Sequence, residues 1–119
     1  MGCPVVHWEI AGKSGKTLQE FYGKLFGWQI DANNPMNYGM TKTGGEGGIN
    51  GGIAQLGEGR PPYVTFYVQV PDLQASLDKA AGMGGKTIMP PMAVPGGPSL
   101  AMFTDPEGNL IGLVQGGTM

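Results

Sequence analysis

The stretch PYVTFYVQVPD at residues 62–72 repeats the character of PVVHWEIAGKS at residues 4–14, which lies 58 residues earlier. Each copy begins with a proline and continues as a run in which side-chain character alternates, as in a strand with one buried face. Each copy ends at a residue that can cap a helix, Ser14 in the first and Asp72 in the second. The repeat therefore predicts a strand followed by a helix in each half of the chain.

The segments after the two caps continue the repeat. Apolar residues recur at helical spacing, at positions 18, 21, 22 and 25 in the first half and at 73, 77 and 80 or 81 in the second. Gly27 and the pair Gly84-Gly85 can end these helices in the left-handed conformation. Three strand-like segments follow each helix, at residues 28–30, 37–41 and 49–56, and at residues 86–89, 100–104 and 109–115.

The last strands of the two halves also match. The sequence Gly52-Ile53-Ala54-Gln55 returns as Gly112-Leu113-Val114-Gln115, and Asp105-Pro106-Glu107-Gly108 places Asp, Pro and Gly where a tight turn favours them. Such a turn joins two antiparallel strands. The simplest fold is α+β, with two βαβββ modules at about residues 4–56 and 62–115 of a single domain spanning residues 1–119.

Composition excludes several classes of protein. The 119 residues are 40% hydrophobic, which is enough for one core, and the 23 glycines and 10 prolines are interpreted as turns and close backbone approaches. Seven basic against nine acidic residues leave a net charge of −2, which argues against nucleic acid as a partner. The single cysteine, Cys3, excludes an internal disulfide, and no apolar run is long enough to cross a membrane. We therefore expect a cytoplasmic protein that binds neither nucleic acid nor membranes.

Five motifs, taken in their order and spacing, resemble those of the vicinal oxygen chelate superfamily. This superfamily groups glyoxalase I, extradiol dioxygenases, fosfomycin-resistance enzymes and bleomycin-resistance proteins. The motifs are HWEI at residues 7–10, FYGKLFGW at 21–28, VPD at 70–72, GG at 84–85 and DPEGNLI at 105–111. The resemblance implies two βαβββ modules curled into a half-open barrel, with helices on the convex face and a ligand in the cup. It also implies a homodimer, because members commonly pair about a two-fold axis.

Side-chain alternation assigns residues to the two faces of this barrel. If Val64, Phe66, Val68 and Val70 meet a helix, the residues between them face the cup. These are Tyr63, Thr65, Tyr67 and Gln69. By the internal repeat, His7 and Glu9 also face the cup.

The resemblance also implies where a metal would be held, since metal-dependent members take one ligand from the first and last strand of each module. These positions are His7, Thr65, Gly52 and Gly112. Glycine has no side-chain donor, and a threonine hydroxyl is a poor ligand for a transition ion. We therefore expect no metal and no other cofactor.

The first functional hypothesis is metal-independent binding of a small, partly apolar or aromatic molecule in the cup, in the manner of drug sequestration by bleomycin-resistance proteins. The candidate ligand-binding residues lie on the first and last strands of the two modules. They are His7, Glu9, Gly52, Tyr63, Thr65, Tyr67 and Gly112.

Two alternatives remain open. The chain could be a lyase, isomerase or dioxygenase-type enzyme, with a divalent metal near His7 and Glu9 or with His7, the only histidine, as the general base. Glu9, on the same face, would then orient the imidazole. The other alternative is a dimer-forming module whose cup has no remaining function.

Overall fold

The computed structural model describes residues 2–116 and contains two helices and eight strands in that part of the chain. Strand, helix and three strands follow one another twice, which confirms the predicted α+β fold of two βαβββ modules. The elements are β1 (Val5–Gly12), α1 (Gly15–Phe26), β2 (Gln29–Asp31), β3 (Gly39–Lys42), β4 (Gly51–Gln55), β5 (Tyr63–Val70), α2 (Leu73–Gly82), β6 (Lys86–Ala93), β7 (Ser99–Thr104) and β8 (Leu110–Gln115).

The chain divides into two compact units. His7–Thr65 form one, here called the first unit, and the segments on either side of it in sequence form the second unit. The first unit contains α1 and strands in the order β2-β3-β4-β1, of which β1 and β4 are parallel and the other pairs antiparallel. The second unit contains α2 and strands in the order β5-β8-β7-β6, with β5 and β8 parallel, except that the first three residues of β5, Tyr63 to Thr65, belong to the first unit.

Strand register confirms the internal repeat. Glu9 of β1 pairs with Gly52 of β4, and Tyr67 of β5, which is 58 residues after Glu9, pairs with Gly112 of β8. Both modules therefore place a glycine of the last strand beside the same position of the first strand. Gly52 and Gly112 therefore occupy equivalent positions in the two modules.

Both helices begin at the predicted caps, and α1 also ends at its predicted cap, whereas the C-cap of α2 is Met83 and the left-handed Gly84, with φ 101°, follows it. The Ser14 side chain accepts a hydrogen bond from the Thr17 amide, and the Asp72 side chain accepts one from the Ala75 amide. Gly27 ends α1 in the left-handed region with φ 72°. Neither helix is long and apolar enough to cross a membrane, in the part of the chain that the structure describes.

The core of the second unit lies between α2 and its sheet, whereas α1 buries little of its apolar surface. The buried cluster consists of Val70, Leu73, Leu77, Ala101 and Leu113. On α1, by contrast, Phe21, Leu25 and Phe26 are each more than half exposed. The spacing of these residues correctly predicted that they lie on a helix. It did not predict that their side chains are exposed.

The expectation that four alternate residues of β5 meet a helix is only half right. Val68 and Val70 pack in or against the core, but Val64 is 73% exposed and Phe66 is 40% exposed. Within the second unit, α2 packs against β6, β7 and β8. The opposite face of β5 contains the buried residues Thr65 and Tyr67.

Strand β6 is longer than the sequence predicts. It continues from Lys86 beyond Met89 to Ala93, through Pro90 and Pro91, and its pairing with β7 shifts register twice. Proline has no amide hydrogen to donate, so it is tolerated in a strand only at an edge or an irregularity. The two adjacent prolines explain why the sequence predicts a strand only over residues 86–89.

Candidate functional site

His7 and Glu9 are two residues apart on β1, and both side chains are buried on the same face of the strand. Their exposed fractions are 7% and 6%. Trp8, between them, points to the other face, where its ring lies 5.1 Å from the ring of Trp28. The predicted alternation of β1 therefore places the only histidine and a carboxylate side by side in the interior.

Tyr38 connects these two side chains. Its hydroxyl donates to Oε1 of Glu9 at 2.9 Å and lies 2.8 Å from Nε2 of His7. Because a phenol has one proton to donate, the hydroxyl oxygen accepts from His7, and Nε2 carries the hydrogen of the neutral imidazole. Tyr63 donates to the other oxygen of Glu9, Oε2, at 2.5 Å. We call His7, Glu9, Tyr38 and Tyr63 the His7 network.

Gly52 makes room for the ring of Tyr38. A Cβ atom at Gly52 would lie 2.0 Å from the Cζ and hydroxyl atoms of Tyr38, a distance at which the ring would have to move. The second unit repeats this arrangement, because a Cβ atom at Gly112 would lie 2.5 Å from the ring of Tyr67. In each unit, a tyrosine ring fills the space that a side chain on the last strand would otherwise occupy.

Tyr38 precedes β3 and is not among the site residues predicted from the sequence. The Asn34 side chain holds its backbone at both ends, accepting from the Tyr38 amide at 2.8 Å and donating to the Tyr38 carbonyl at 2.7 Å. Asn37 has a φ of 52°, and Gln19 of α1 donates to its carbonyl. Two features of the sequence could have indicated that Tyr38 lies close to β4. They are the asparagines before Tyr38, which favour a turn, and the adjacent glycines Gly51 and Gly52, which leave room for a ring.

Burial determines the protonation of the His7 network. Desolvation lowers the pKa of His7 to about 4, so the imidazole is neutral at pH 7. The pKa of Tyr63 is raised, first by burial and then by the charge and hydrogen bond of Glu9, while the charge of Arg60 acts in the opposite direction. Tyr63 therefore remains a proton donor to Glu9 throughout the physiological pH range.

The residues at the four implied metal positions do not fit a metal. His7 is committed to Tyr38, Thr65 is buried and offers only a hydroxyl, and Gly52 and Gly112 are covered by tyrosine rings. No group of three His, Cys, Asp or Glu side chains that could hold an ion occurs within residues 2–116. Tyrosine rings thus occupy the space that carboxylate side chains at positions 52 and 112 would need in order to hold a metal ion.

Comparison with known proteins agrees with this fold. A model of the Glyoxalase/Bleomycin resistance protein/Dioxygenase superfamily matches residues 5–113. CFP32 of Mycobacterium tuberculosis, which carries a provisional glyoxylase name, is 34% identical over 106 residues, covering 82% of this chain and 40% of CFP32. The chain therefore spans less than half the length of this relative.

Two solved structures illustrate the shared fold. Methylmalonyl-CoA epimerase from Mycobacterium tuberculosis has a TM-score of 0.65 and 18% identity, covering 93% of this chain and 86% of the epimerase. The Mn(II)-bound glyoxalase from Novosphingobium aromaticivorans has a TM-score of 0.62 and 16% identity, covering 93% of this chain and 38% of that protein. Identities this low indicate a common fold and leave the reaction open.

Proposed function

This chain belongs to the glyoxalase/bleomycin resistance protein/dioxygenase superfamily, and on that premise we propose that it sequesters a small, partly apolar or aromatic molecule without a metal ion. The observation that carries this proposal is the seating of the Tyr38 ring over Gly52. The proposed contacts are His7, Glu9, Gly52, Tyr63 and Thr65 in the first unit. The contacts expected at Tyr67 and Gly112, and the cytoplasmic location, stay predictions.

Tyr38 indicates which ligand chemistry the site accepts. Its side chain is a flat ring that ends in a hydroxyl, and that hydroxyl lies between an imidazole and a carboxylate. A ligand with the same features could replace it, accepting a hydrogen bond from His7 and donating one to Glu9. The ligand would then make the same two hydrogen bonds that the Tyr38 hydroxyl gives up. We therefore propose an aromatic ligand that bears a hydroxyl or amino group.

Titration calorimetry with a panel of phenols and anilines, beginning with 4-methylphenol, tests this proposal. We expect saturable binding that ethylenediaminetetraacetate leaves unchanged. Glu9→Gln should weaken binding about tenfold or more, since the lost bond to a charged acceptor contributes ~1.5–3 kcal/mol. The matched control is Glu58→Gln, at an exposed position. Absence of binding across the panel, or its abolition by the chelator, would contradict the proposal.

A second candidate function is proton transfer, as in lyases and isomerases. The observation that favours it is the pair of hydrogen bonds that links the His7 imidazole through the Tyr38 hydroxyl to Glu9. Because Nε2 carries the proton, Nδ1 is the basic atom of this imidazole. Hydrogen exchange at the α-carbon of methylmalonyl-CoA in deuterated water, followed by NMR, provides a probe, and His7→Gln should abolish it. Exchange that survives this substitution would exclude His7 as the base.

We further propose that two copies of the chain associate through α1. Phe21, Leu25 and Phe26 are 56%, 57% and 56% exposed, which is unusual for large apolar side chains on one helix. Association of two copies would remove these side chains from water. Light scattering should report a dimer, and Leu25→Glu should produce monomers, whereas Met83→Glu, also at an exposed apolar site, should not. A monomeric unmodified protein would contradict this proposal.

A further inference from the structure

The first unit contains a cavity of about 560 Å³ beside α1, apart from the His7 network except for Tyr63. This volume lies within the range of pockets that hold small organic ligands. Most of the lining is apolar. The lining residues are Ile10, Ala11, Gly12, Lys13, Ser14, Thr17, Leu18, Tyr22, Pro62, Tyr63 and Val64.

One wall of the cavity is held in place before any ligand arrives. Tyr22 stacks on Trp28, with ring centroids 5.9 Å apart and an angle of 19° between the planes. On the other side, the Tyr63 hydroxyl is tied to Glu9. Two aromatic side chains with fixed orientations thus face the cavity, an arrangement that suits a flat apolar body.

The lining of this cavity contains one charged side chain, that of Lys13, and no carboxylate. Arg60, the only arginine, is close enough for its charge to act on Tyr63 of the lining. Ser14 and Thr17 add hydroxyl groups to the lining. The cavity therefore combines apolar walls with a lysine, and such a combination complements an amphipathic anion.

We propose that this cavity is a second binding site, which takes an aromatic carboxylate. The flat ring lies against Tyr22, Leu18 and Val64, and the carboxylate pairs with Lys13. The ligand class differs from that proposed for the His7 network, where Glu9 would repel an anion. Tyr63 separates the two sites, because its ring lines the cavity while its hydroxyl bonds to Glu9.

Calorimetry with 2-naphthoate and its neutral analogue methyl 2-naphthoate, which has no hydroxyl or amino group to donate to the His7 network, tests the proposal. We expect saturable binding of the carboxylate, with the ester about tenfold weaker, because only the carboxylate pairs with Lys13. Lys13→Gln should remove this difference. Val64→Glu should abolish binding by placing a negative charge on the apolar wall, and folding should survive since Val64 is 73% exposed.

Two controls separate this site from other apolar surfaces and from the His7 network. Met83→Glu introduces the same charge at a 70% exposed position away from the cavity and should leave binding unchanged. His7→Gln should also leave naphthoate binding unchanged. Equal affinity for carboxylate and ester, no effect of Val64→Glu, or loss of naphthoate binding in His7→Gln would each overturn the proposal, and none of these results bears on phenol binding at the His7 network.

Discussion

Glu9 shows how tyrosine hydroxyls can stabilise a buried carboxylate. Charged groups removed from water are costly unless hydrogen bonds replace the lost hydration. Here two phenols donate to the two carboxylate oxygens, Tyr38 to Oε1 and Tyr63 to Oε2. The tyrosines thus supply the stabilisation that a metal ion could supply elsewhere, and they do so with groups that also present flat apolar surfaces.

Substitution of Tyr38 should separate its two roles. Tyr38→Phe keeps the ring and loses the hydroxyl, which should lower the free energy of unfolding by ~1–2 kcal/mol. Tyr38→Ala also empties the space over Gly52 and should cost about 3 kcal/mol. Thermal melts with 4-methylphenol should show a larger stabilisation of Tyr38→Ala than of Tyr38→Phe. Equal shifts for the two variants would argue against a ring-sized pocket at this position.

The low pKa of His7 makes stability depend on acidity. Its pKa is about 4 in the folded chain and near 6.5 when unfolded, so between these values the unfolded state binds more protons. Stability should therefore be complete above pH 7 and fall, by on the order of 1–2 kcal/mol, as the pH drops from 6.5 towards 4. Urea titrations at several pH values measure this decrease.

The His7→Gln variant is the control for that measurement, because an amide can still donate to Tyr38 and does not titrate. Its stability should change less between pH 6.5 and 4. Asp105, whose pKa is lowered chiefly by its hydrogen bonds to Asn109, is unaltered in the variant and contributes equally to both proteins. Parallel curves for the two proteins would show that His7 is not the titrating group.

Strands β4 and β8 each use a glycine to admit a tyrosine ring. Gly52→Ala should destabilise the protein by ~1–3 kcal/mol, because its Cβ would overlap the Tyr38 hydroxyl end. In a Tyr38→Ala background the same change should cost much less, since the obstacle is gone. Chemical unfolding of the four proteins measures this coupling. Gly57→Ala, where a Cβ meets nothing within 4 Å, is the control, and additive effects would contradict the contact.

The limits of the helices were easier to predict from the sequence than the exposure of individual side chains. The helix limits followed from Ser14, Asp72 and Gly27, because caps act through hydrogen bonds and dihedral angles within one turn. The exposure of Val64 could not be predicted, because strand alternation assigns a residue to a face and does not say what covers that face. Strand β6 ran past its prolines because its pairing with β7 tolerates irregular register.

Within residues 2–116, no group of three His, Cys, Asp or Glu side chains could hold a metal ion, and this leads to a simple measurement. The purified protein should contain far less than one equivalent of zinc, manganese, nickel or iron by elemental analysis. Its melting temperature should shift by less than about 1 °C on chelation or on addition of these ions, because a ligand that binds the folded state raises stability by mass action. One equivalent of tightly held metal would refute the interpretation of Gly52 and Gly112.

The sequence by itself determined the α+β class, the two βαβββ modules and the placement of His7 and Glu9 on one face of β1. These features depend on periodicity, caps and turns, which act between neighbouring residues. Only the tertiary structure decided that Tyr38 joins His7 to Glu9 and that tyrosine rings cover the two glycines. It also decided that a cavity whose lining includes Lys13 forms beside α1. Such contacts join residues far apart in the chain, and their geometry depends on how the strands and loops pack.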